Sequence, residues 1–242
     1  MQCVILAGGL GTRMRPLTDT CPKTLLPVRG RPFAHHQLHW LAAQGVNEVV
    51  YCIGHRGDLI RRYWAMEPCP VRSIRWVDEG DRLRGTGGAL RLAFEQGVLE
   101  ESFLVIYGDS FLPIRFGPVW QAFQSSGLPA LMTVLRNEGR WDRSNAIYEG
   151  GRVALYDKST VPEMHYIDYG LLGFTRQVFA SDVFAERTPP VFDLATLLHH
   201  FSLDGQLAGY EVSERFYQVG SAAGLSELDR YLADREPVPA AR

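Results

Sequence analysis

Short apolar runs alternate with longer amphipathic segments through the first half of the chain. The apolar runs fall at 4–7, 49–53, 74–77 and 103–107, and the segments at 32–44, 57–65 and 87–96 have helical length and spacing. Alternation of this kind predicts a parallel sheet covered by helices. Pro32 suits the first turn of the first helix and Gly45 suits its end, which supports the same interpretation.

The pattern changes after Pro129, where strand-like runs follow one another at 130–136, 145–148 and 153–156. The segment Glu149-Gly150-Gly151-Arg152 predicts a hairpin turn. A strand at 167–174, helices near 176–184 and 192–201, and a final helix at 222–233 complete the prediction. We therefore expect an α/β fold, a Rossmann-like mixed, mainly parallel sheet with helices on both faces and a smaller β-rich lobe. One domain would span 1–236, with halves 1–128 and 129–236, before a flexible tail at 237–242.

Composition and charge narrow the class of protein. With 242 residues, of which 46% are hydrophobic, the chain can bury a full core. Its formal net charge of -2 gives no overall field for nucleic acid or an anionic membrane, so we expect neither as a partner. The sequence begins without a secretion-signal pattern and has no bilayer-length apolar window, which predicts a cytoplasmic protein. The four cysteines lack metal-ligand spacing and are expected to be reduced, mostly buried thiols.

The first predicted strand runs directly into the glycine-rich segment Gly8-Gly9-Leu10-Gly11-Thr12-Arg13. Glycines here let backbone N–H groups approach an anion, because a Cβ would hold the anion away. The segment fits neither the dinucleotide fingerprint, which needs a glycine where Met14 stands, nor the Walker loop. Arg13 lies inside the loop and Lys23 follows a second turn, so these two cations should converge on one polyanion. The sequence therefore predicts a phosphate-binding cradle.

The stretch from residue 6 to residue 28 resembles the signature of the sugar-phosphate nucleotidyltransferases. The resemblance implies that an NTP and a sugar 1-phosphate react to give an NDP-sugar and pyrophosphate. It assigns Arg13 and Lys23 to the triphosphate as catalytic cations. Gly85-Thr86-Gly87-Gly88-Ala89-Leu90 resembles the family segment near the base. The implied nucleotide-binding residues are Leu6, Ala7, Gly8, Gly9, Gly11, Thr12, Gly85, Thr86 and Gly88.

Asp109 follows the buried strand at 103–107, and the carboxyl ends of such strands are where α/β sheets bind ligands. The resemblance implies that Asp109 binds Mg²⁺. The family usually places a second aspartate where this chain has Gln218. An amide oxygen can still serve as a metal ligand, so we expect a weakened Mg²⁺ site formed by Asp109 and Gln218.

The second half of the chain is expected to bind the sugar phosphate, and the first half the nucleotide. By resemblance, Lys158 meets the phosphate, while Asp157 and Asp168 accept hydrogen bonds from sugar hydroxyls. Asp168 lies within an apolar strand, where a carboxylate is costly unless it is paired, and this favours a role in binding. Asn145 and Gly170 complete the predicted sugar-phosphate residues.

Several alternatives stay open at this point. The closest resemblance is to heptose- or mannose-1-phosphate guanylyltransferases, which favours GTP, but uridylyl-, thymidylyl- and cytidylyltransferases share the signature. Gln218 keeps open a regulatory protein that binds nucleotide sugars without turnover. Trp141 and Tyr166 leave room for cytidylyl transfer to phosphocholine. An NAD(P) oxidoreductase is rejected, because Cys52-Ile53-Gly54 stands where an acidic ribose-binding residue is needed. A homo-oligomer is neither required nor excluded.

Overall fold

The structure is a computed structural model that describes residues 1–80, 82–180 and 188–235. Strands and helices alternate as the first half of the sequence predicts. The strands are β1 (Gln2–Ala7), β2 (Pro27–Val28), β3 (Arg31–Pro32), β4 (Glu48–Ile53), β5 (Ser73–Asp78), β6 (Ser102–Tyr107), β7 (Ser110–Phe111), β8 (Ala130–Arg136), β9 (Ala146–Glu149), β10 (Arg152–Tyr156), β11 (Tyr166–Thr175), β12 (Leu207–Val212) and β13 (Tyr217–Gln218). The helices are α1 (Phe33–Ala43), α2 (Gly57–Met66), α3 (Gly85–Glu95), α4 (Phe116–Ser126), α5 (Gln177–Ala180), α6 (Leu194–Leu203) and α7 (Ala222–Ala233).

One mixed sheet organises the described part of the chain, in the strand order β5-β4-β1-β6-β11-β8-β12-β10-β9. Strands β5, β4, β1 and β6 are parallel, while β11 lies antiparallel between β6 and β8. Strand β12 runs parallel to β8, and β10 and β9 continue antiparallel at the edge. The β-rich half therefore extends the same sheet. The predicted α/β fold is confirmed.

Apolar side chains cover both faces of this sheet. On one face Leu90 of α3 and Leu198 of α6 belong to the same buried cluster as Phe174. On the other face Leu38 of α1 and Phe123 of α4 belong to a second buried cluster. The sheet is thus covered by helices on both faces, and its parallel half is held rigidly enough to position loops at its carboxyl edge.

Several local predictions can be compared with the structure. Helix α7 begins and ends where the periodicity places it, and Gly150 and Gly151 adopt positive φ values of 56° and 79° in the predicted hairpin turn. Helix α4 and strand β12 were not predicted. The predicted helix at 176–184 is described only as α5, because 181–187 lie outside the described residues, as does the predicted tail at 237–242.

The cysteines differ partly from their prediction. All four are free, and Cys3 and Cys52 are buried in strands, but Cys69 is exposed and Cys21 is half-buried. Cys69 lies in the turn after α2, outside the apolar pattern that buries the first two. Across the ranges that the structure describes, no helix combines the length and apolar character needed to cross a membrane.

Candidate active site

The glycine loop leaves β1 at the carboxyl edge of the sheet, and its glycines serve different purposes. Gly11 has a φ of +64°, and a Cβ there would lie 3.0 Å from Thr18 Cγ2. Thr18 Oγ1 donates to the Gly11 carbonyl oxygen at 2.9 Å, which fixes this turn. A Cβ on Gly9 would meet nothing within 4 Å. Gly11 is therefore required by the backbone, whereas Gly9 leaves space for a ligand.

A cavity of about 250 Å³ lies under this loop. Nine of the predicted residues line it, namely Leu6, Ala7, Gly8, Gly9, Gly11, Lys23, Gly85, Thr86 and Asp109. The lining also includes Ala89 of the predicted segment 85–90 and residues that were not predicted as site residues, namely Thr24, Cys52, Glu79, Leu83, Tyr107 and Gly108. Gly88 is placed differently, because a Cβ on it would point toward Arg84 and the Pro190 carbonyl oxygen. Thr12 and Arg13 are exposed beyond the cavity lining.

The two predicted cations do converge. A Cβ built on Gly220 would lie 3.8 Å from both Arg13 Nη2 and Lys23 Nζ. Lys23 Nζ also lies 2.5 Å from Asp109 Oδ2, and the two side chains are only 15% and 24% exposed. Next to it, Thr24 Oγ1 donates to the Gly108 carbonyl oxygen at 2.6 Å. The predicted phosphate-binding cation and the predicted metal-binding carboxylate thus form one ion pair.

The predicted metal-binding residues lie together at the end of the sheet. Gln218 of β13 pairs with Ser110 of β7, and its Nε2 lies 3.5 Å from Ser110 Oγ. Ser110 Oγ donates in turn to Asp109 Oδ1 at 3.3 Å, and the Val219 N–H donates to the Asp109 carbonyl oxygen at 2.8 Å. No group of three or more His, Cys, Asp or Glu among the described residues could hold a metal. One carboxylate and one amide oxygen are ligands that Mg²⁺ accepts, so the residue types at Asp109 and Gln218 fit this ion.

A second cluster gathers four of the predicted sugar-phosphate residues. The Asp168 N–H donates to Asn145 Oδ1 at 2.8 Å, and the Asp157 N–H donates to the Asn145 carbonyl oxygen at 3.0 Å. Asp168 Oδ1 accepts from the Gly170 N–H at 2.9 Å, where Gly170 has a φ of +100°. The register of β11 against β8 shifts between Asp168 and Leu172. Asp168 keeps its register opposite Val134, and the irregular stretch begins directly after it, where the Gly170 N–H reaches back to the Asp168 carboxylate.

The electrostatics connect this cluster with the cavity. Burial raises the pKa of Asp168 to about 6, although the Gly170 N–H stabilises the ionised form. Tyr107 lines the cavity, and burial followed by the charge of Asp168 raises the pKa of its hydroxyl well above the usual range. A Cβ built on Gly170 would lie 3.6 Å from Tyr107 Cδ2, so Tyr107 borders both the cavity and the Asp168 cluster.

Lys158 is paired with Asp193, a residue that was not predicted to belong to the site. Its Nζ lies 2.5 Å from Asp193 Oδ2, while Thr86 Oγ1 donates to Asp193 Oδ1 at 2.9 Å. Asp193 also caps α6 by accepting from the Ala195 N–H. Partial burial disfavours ionisation of Asp193, but the hydrogen bonds from Lys158, Ala195 and Thr86 hold its pKa below the ordinary value. An acidic residue just before an apolar helix is a capping signal, which could have identified Asp193 as an N-cap although not its partners.

A glycine-rich loop, two cations and a carboxylate at the carboxyl edge of a parallel sheet define a nucleotide-binding α/β domain. The chain belongs to the family of the MobA-like NTP transferase domain, whose model matches residues 3–187. The predicted nucleotidyltransferase family is confirmed.

Two relatives and one solved structure are similar to this chain. A D-glycero-alpha-D-manno-heptose 1-phosphate guanylyltransferase from Aneurinibacillus thermoaerophilus is 34% identical over 110 residues, covering 46% of this chain and 46% of that protein. A glucose-1-phosphate cytidylyltransferase from Salmonella typhimurium is 30% identical over 162 residues, covering 58% and 63%. The chain thus spans less than two thirds of the length of both relatives. HddC from Yersinia pseudotuberculosis, solved in complex with GMP-PN, matches with a TM-score of 0.76 at 20% identity over 96% of this chain and 99% of that one, which shows the fold alone.

Proposed function

We propose that the protein transfers a nucleotidyl group from an NTP to a sugar 1-phosphate and releases pyrophosphate. The observation that carries this proposal is the convergence of Arg13 and Lys23 beside Gly220, with Lys23 paired to Asp109 at the glycine loop. The family assignment supports the same reaction. Tyr107 lines this cavity and borders Gly170 of the Asp168 cluster, so the two substrates would bind at adjoining sites.

The reaction requires no protein base. A phosphate monoester has a second pKa of about 6 and is largely dianionic at neutral pH. One of its oxygens attacks the α-phosphorus of the NTP, a P–O bond forms, and the bond from the α-phosphorus to the bridging oxygen breaks as pyrophosphate leaves. The chain therefore contributes positioning and charge stabilisation.

Each cation has a distinct part in this scheme. Arg13 is exposed at the mouth of the cavity, and its planar guanidinium can bind two phosphate oxygens at once. Lys23 is fixed by Asp109 and offers its remaining N–H donors to the phosphates. Asp109 and Gln218 would hold Mg²⁺, which would supply charge neutralisation for the phosphates. The glycine loop offers backbone N–H groups to the same anion.

The second substrate is assigned to the cluster around Asp168. Asp157 and Asp168 accept hydrogen bonds from sugar hydroxyls, next to Asn145 and Gly170, and Lys158 meets the phosphate. Because Lys158 is 62% exposed and paired to Asp193, it can turn toward a bound dianion at little cost in stability.

GTP with a heptose or mannose 1-phosphate is the favoured substrate pair. The heptose guanylyltransferase relative supports this choice, while the cytidylyltransferase relative keeps other bases as alternatives. A regulatory protein that binds nucleotide sugars without turnover is the second candidate. It is favoured by one observation, the neutral Gln218 beside Asp109.

A pyrophosphate-release assay tests the proposal. Each common NTP is combined with a panel of hexose and heptose 1-phosphates, with Mg²⁺ and again with EDTA. We expect release with one pair, dependent on Mg²⁺. The variant Arg13→Met should lose at least about 100-fold in turnover, while Arg15→Met, whose arginine pairs with Asp19 at 3.3 Å on the surface, should retain wild-type rates. If no pair releases pyrophosphate while NTP binding is still measurable by calorimetry, the result would support the regulatory protein instead.

A further inference from the structure

A second cavity, outside the candidate active site, is lined mainly by basic side chains. It has a volume of about 490 Å³ and lies between α1, the β2–β3 hairpin and the last turn of α7. None of the residues that line it lines the nucleotide cavity. Among the described residues no acidic side chain lines it, whereas five basic ones do, namely Arg29, Arg31, His35, His36 and His39. In a chain with a formal net charge of -2, this concentration of cations attracts anions locally.

Helical spacing places the three histidines on one face of α1. Leu38 and Leu41 of the same helix are buried in the core, so the histidine face is the one left at the cavity. The centroid of the His35 ring lies 4.3 Å from that of His39 and 5.8 Å from that of His36. Protonated rings at these distances repel one another. An anion bound beside them would offset this repulsion and favour the protonated forms.

The rings of His35 and His36 are oriented by neighbouring groups. The Tyr63 hydroxyl of α2 lies 3.0 Å from His35 Nδ1, and His36 Nε2 lies 2.8 Å from the Val28 carbonyl oxygen, so that nitrogen carries a proton. Burial lowers the pKa of His35, and so do the positive charges of three residues of the same lining, His39, His36 and Arg31. The Glu67 carboxylate, directly after α2, acts in the opposite direction. His35 therefore lies in a region of positive potential.

The β2–β3 hairpin presents two arginines to the same cavity. Its turn residues Arg29 and Gly30 have positive φ values of 50° and 73°. Such turns favour Asn or Gly, so Arg29 places its charge here at a strained backbone position, and strain of this kind is common at binding sites. Arg29 Nη1 lies 3.9 Å from Asp229 Oδ2, and Arg31 Nη1 lies 3.6 Å from Glu67 Oε2. Partly exposed pairs of this length contribute little stability, so both guanidiniums can turn toward a bound anion.

We infer that this cavity binds the diphosphate group of a small compound, at a site separate from the nucleotide cavity. The inference does not rest on the proposed function. The fork of a guanidinium pairs with two phosphate oxygens, and protonated imidazoles donate to others. Two arginines beside three histidines suit a group that carries more charge than a single phosphate. A metal is not the ligand, because no cluster of three or more His, Cys, Asp or Glu in the described part of the chain could hold one.

The apolar part of the lining would contact the body of such a compound. It consists of Trp40, Ala43, Phe111 and Leu232. Trp40 Nε1 donates to the Leu112 carbonyl oxygen at 2.8 Å, and the Trp40 ring lies 5.7 Å from that of Phe111, which fixes two aromatic rings in the lining. Free diphosphate and a diphosphate ester present the same charged group, and only the ester would also contact these apolar side chains.

NMR spectra of the histidine rings test this site in the full-length protein. Inorganic pyrophosphate and GDP are titrated separately, without a divalent metal, and each ring signal is assigned with a His→Gln variant. The signals of His35, His36 and His39 should shift and saturate in at least one titration. The pKa of His35 should rise, because a bound anion stabilises the imidazolium form. His165, which lies outside the lining, should keep its signal unchanged.

Arg31→Gln weakens the site, and Arg62→Gln is its matched control. The Arg31 side chain is 55% exposed, while that of Arg62 is 73% exposed and lies 3.5 Å from Asp58, outside the cavity lining. Loss of one charge-assisted hydrogen bond should raise the half-saturating ligand concentration at the histidine signals about 10-fold in Arg31→Gln. Arg62→Gln should match the wild-type protein. If Arg31→Gln does not fold, His39→Gln replaces it, because the His39 side chain is exposed, and should weaken binding in the same direction.

The outcomes either support or overturn the site. Saturation in either titration, weakened by Arg31→Gln, supports it, and saturation with GDP alone supports an ester as the ligand. Unchanged histidine signals in both titrations, equal half-saturation in Arg31→Gln and wild type, or half-saturation above about 10 mM, as for non-specific attraction, would overturn it. Failure of the pyrophosphate-release assay would overturn the proposed function and leave this site standing.

Discussion

The ion pair between Lys23 and Asp109 allows stability and catalysis to be separated in one experiment. The two charged atoms are 2.5 Å apart, and the side chains are 15% and 24% exposed. At an effective dielectric constant of about 20, their attraction is about 7 kcal/mol, and desolvation of both groups offsets most of it. Because neither side chain is fully buried, we expect a coupling energy of about 2–3 kcal/mol in a double-mutant cycle.

The cycle uses Lys23→Met, Asp109→Asn and the double variant, measured by urea unfolding followed by circular dichroism. Each single variant leaves one desolvated partner and should lose about 2–3 kcal/mol, while the double variant should recover most of this loss. Turnover should not recover, because the double variant still lacks a phosphate-binding cation and a carboxylate. The exposed pair Arg136 and Glu138, with side chains 65% and 41% exposed, is the control and should couple by less than about 1 kcal/mol. Additive single losses at Lys23 and Asp109, or turnover regained in the double variant, would refute this reasoning.

Three further predictions concern single substitutions. Gly85→Ala should lose more than about 2 kcal/mol of stability, because Gly85 has a φ of +74° and a Cβ would lie 2.4 Å from the Phe192 carbonyl oxygen. Its control, Gly9→Ala, should keep the wild-type melting temperature but bind NTP more weakly in calorimetry. Equal melting temperatures for the two variants would contradict this prediction. Since the raised pKa of Asp168 means that its ionisation opposes folding, its contribution to stability falls as pH rises from about 4 to about 6 and stays lost above. Asp168→Asn should therefore be more stable than the wild-type protein by about 1–2 kcal/mol at pH 7.5, after allowance for partial exposure, and no more stable at pH 4. Its KM for sugar phosphate should rise. A difference in melting temperature that does not depend on pH would contradict this prediction. Gln218→Asp should lower the half-saturating Mg²⁺ concentration about 10-fold in the pyrophosphate assay, because it adds a charged ligand, and an unchanged Mg²⁺ requirement would remove Gln218 from the metal site.

Local patterns predicted much of the fold because the responsible interactions are themselves local. The hairpin at Gly150 and Gly151 follows from residues that accept positive φ, and α7 follows from apolar periodicity after the Ser221 cap. Helix α4 was missed because Gly117 and Pro118 stand in its first turn, where they resemble a loop although the structure begins a helix at Phe116. Strand β12 follows directly on a helix end and finds its place by pairing with β8, a contact between distant segments.

In the candidate site, too, local motifs were predictable from the sequence, whereas contacts between residues distant in sequence were not. The glycine loop, Lys23 and Asp109 were predicted from motifs, since a phosphate-binding site would require particular residue types at short spacing. Their pairing was not, because it joins residues far apart in sequence. Asp193 and Glu79 were not predicted for the same reason. Each is an isolated acidic residue in the sequence, and only the folded chain brings Asp193 to Lys158 and Glu79 to the cavity.

The pairing of β13 with β7 makes the candidate site depend on a segment that lies far along the chain from the glycine loop. The Val219 N–H donates to the Asp109 carbonyl oxygen, and Gly220 lies beside Arg13 and Lys23, so the last fifth of the chain closes a site begun by the first tenth. The segment recognised by the family model ends at residue 187, before this closing strand. During synthesis, a ribosome exposes the glycine loop and both cations long before the strand that completes them. A shortened chain that ends before β13 would therefore keep the glycine loop and both cations but lose the backbone contact that holds Asp109 beside them.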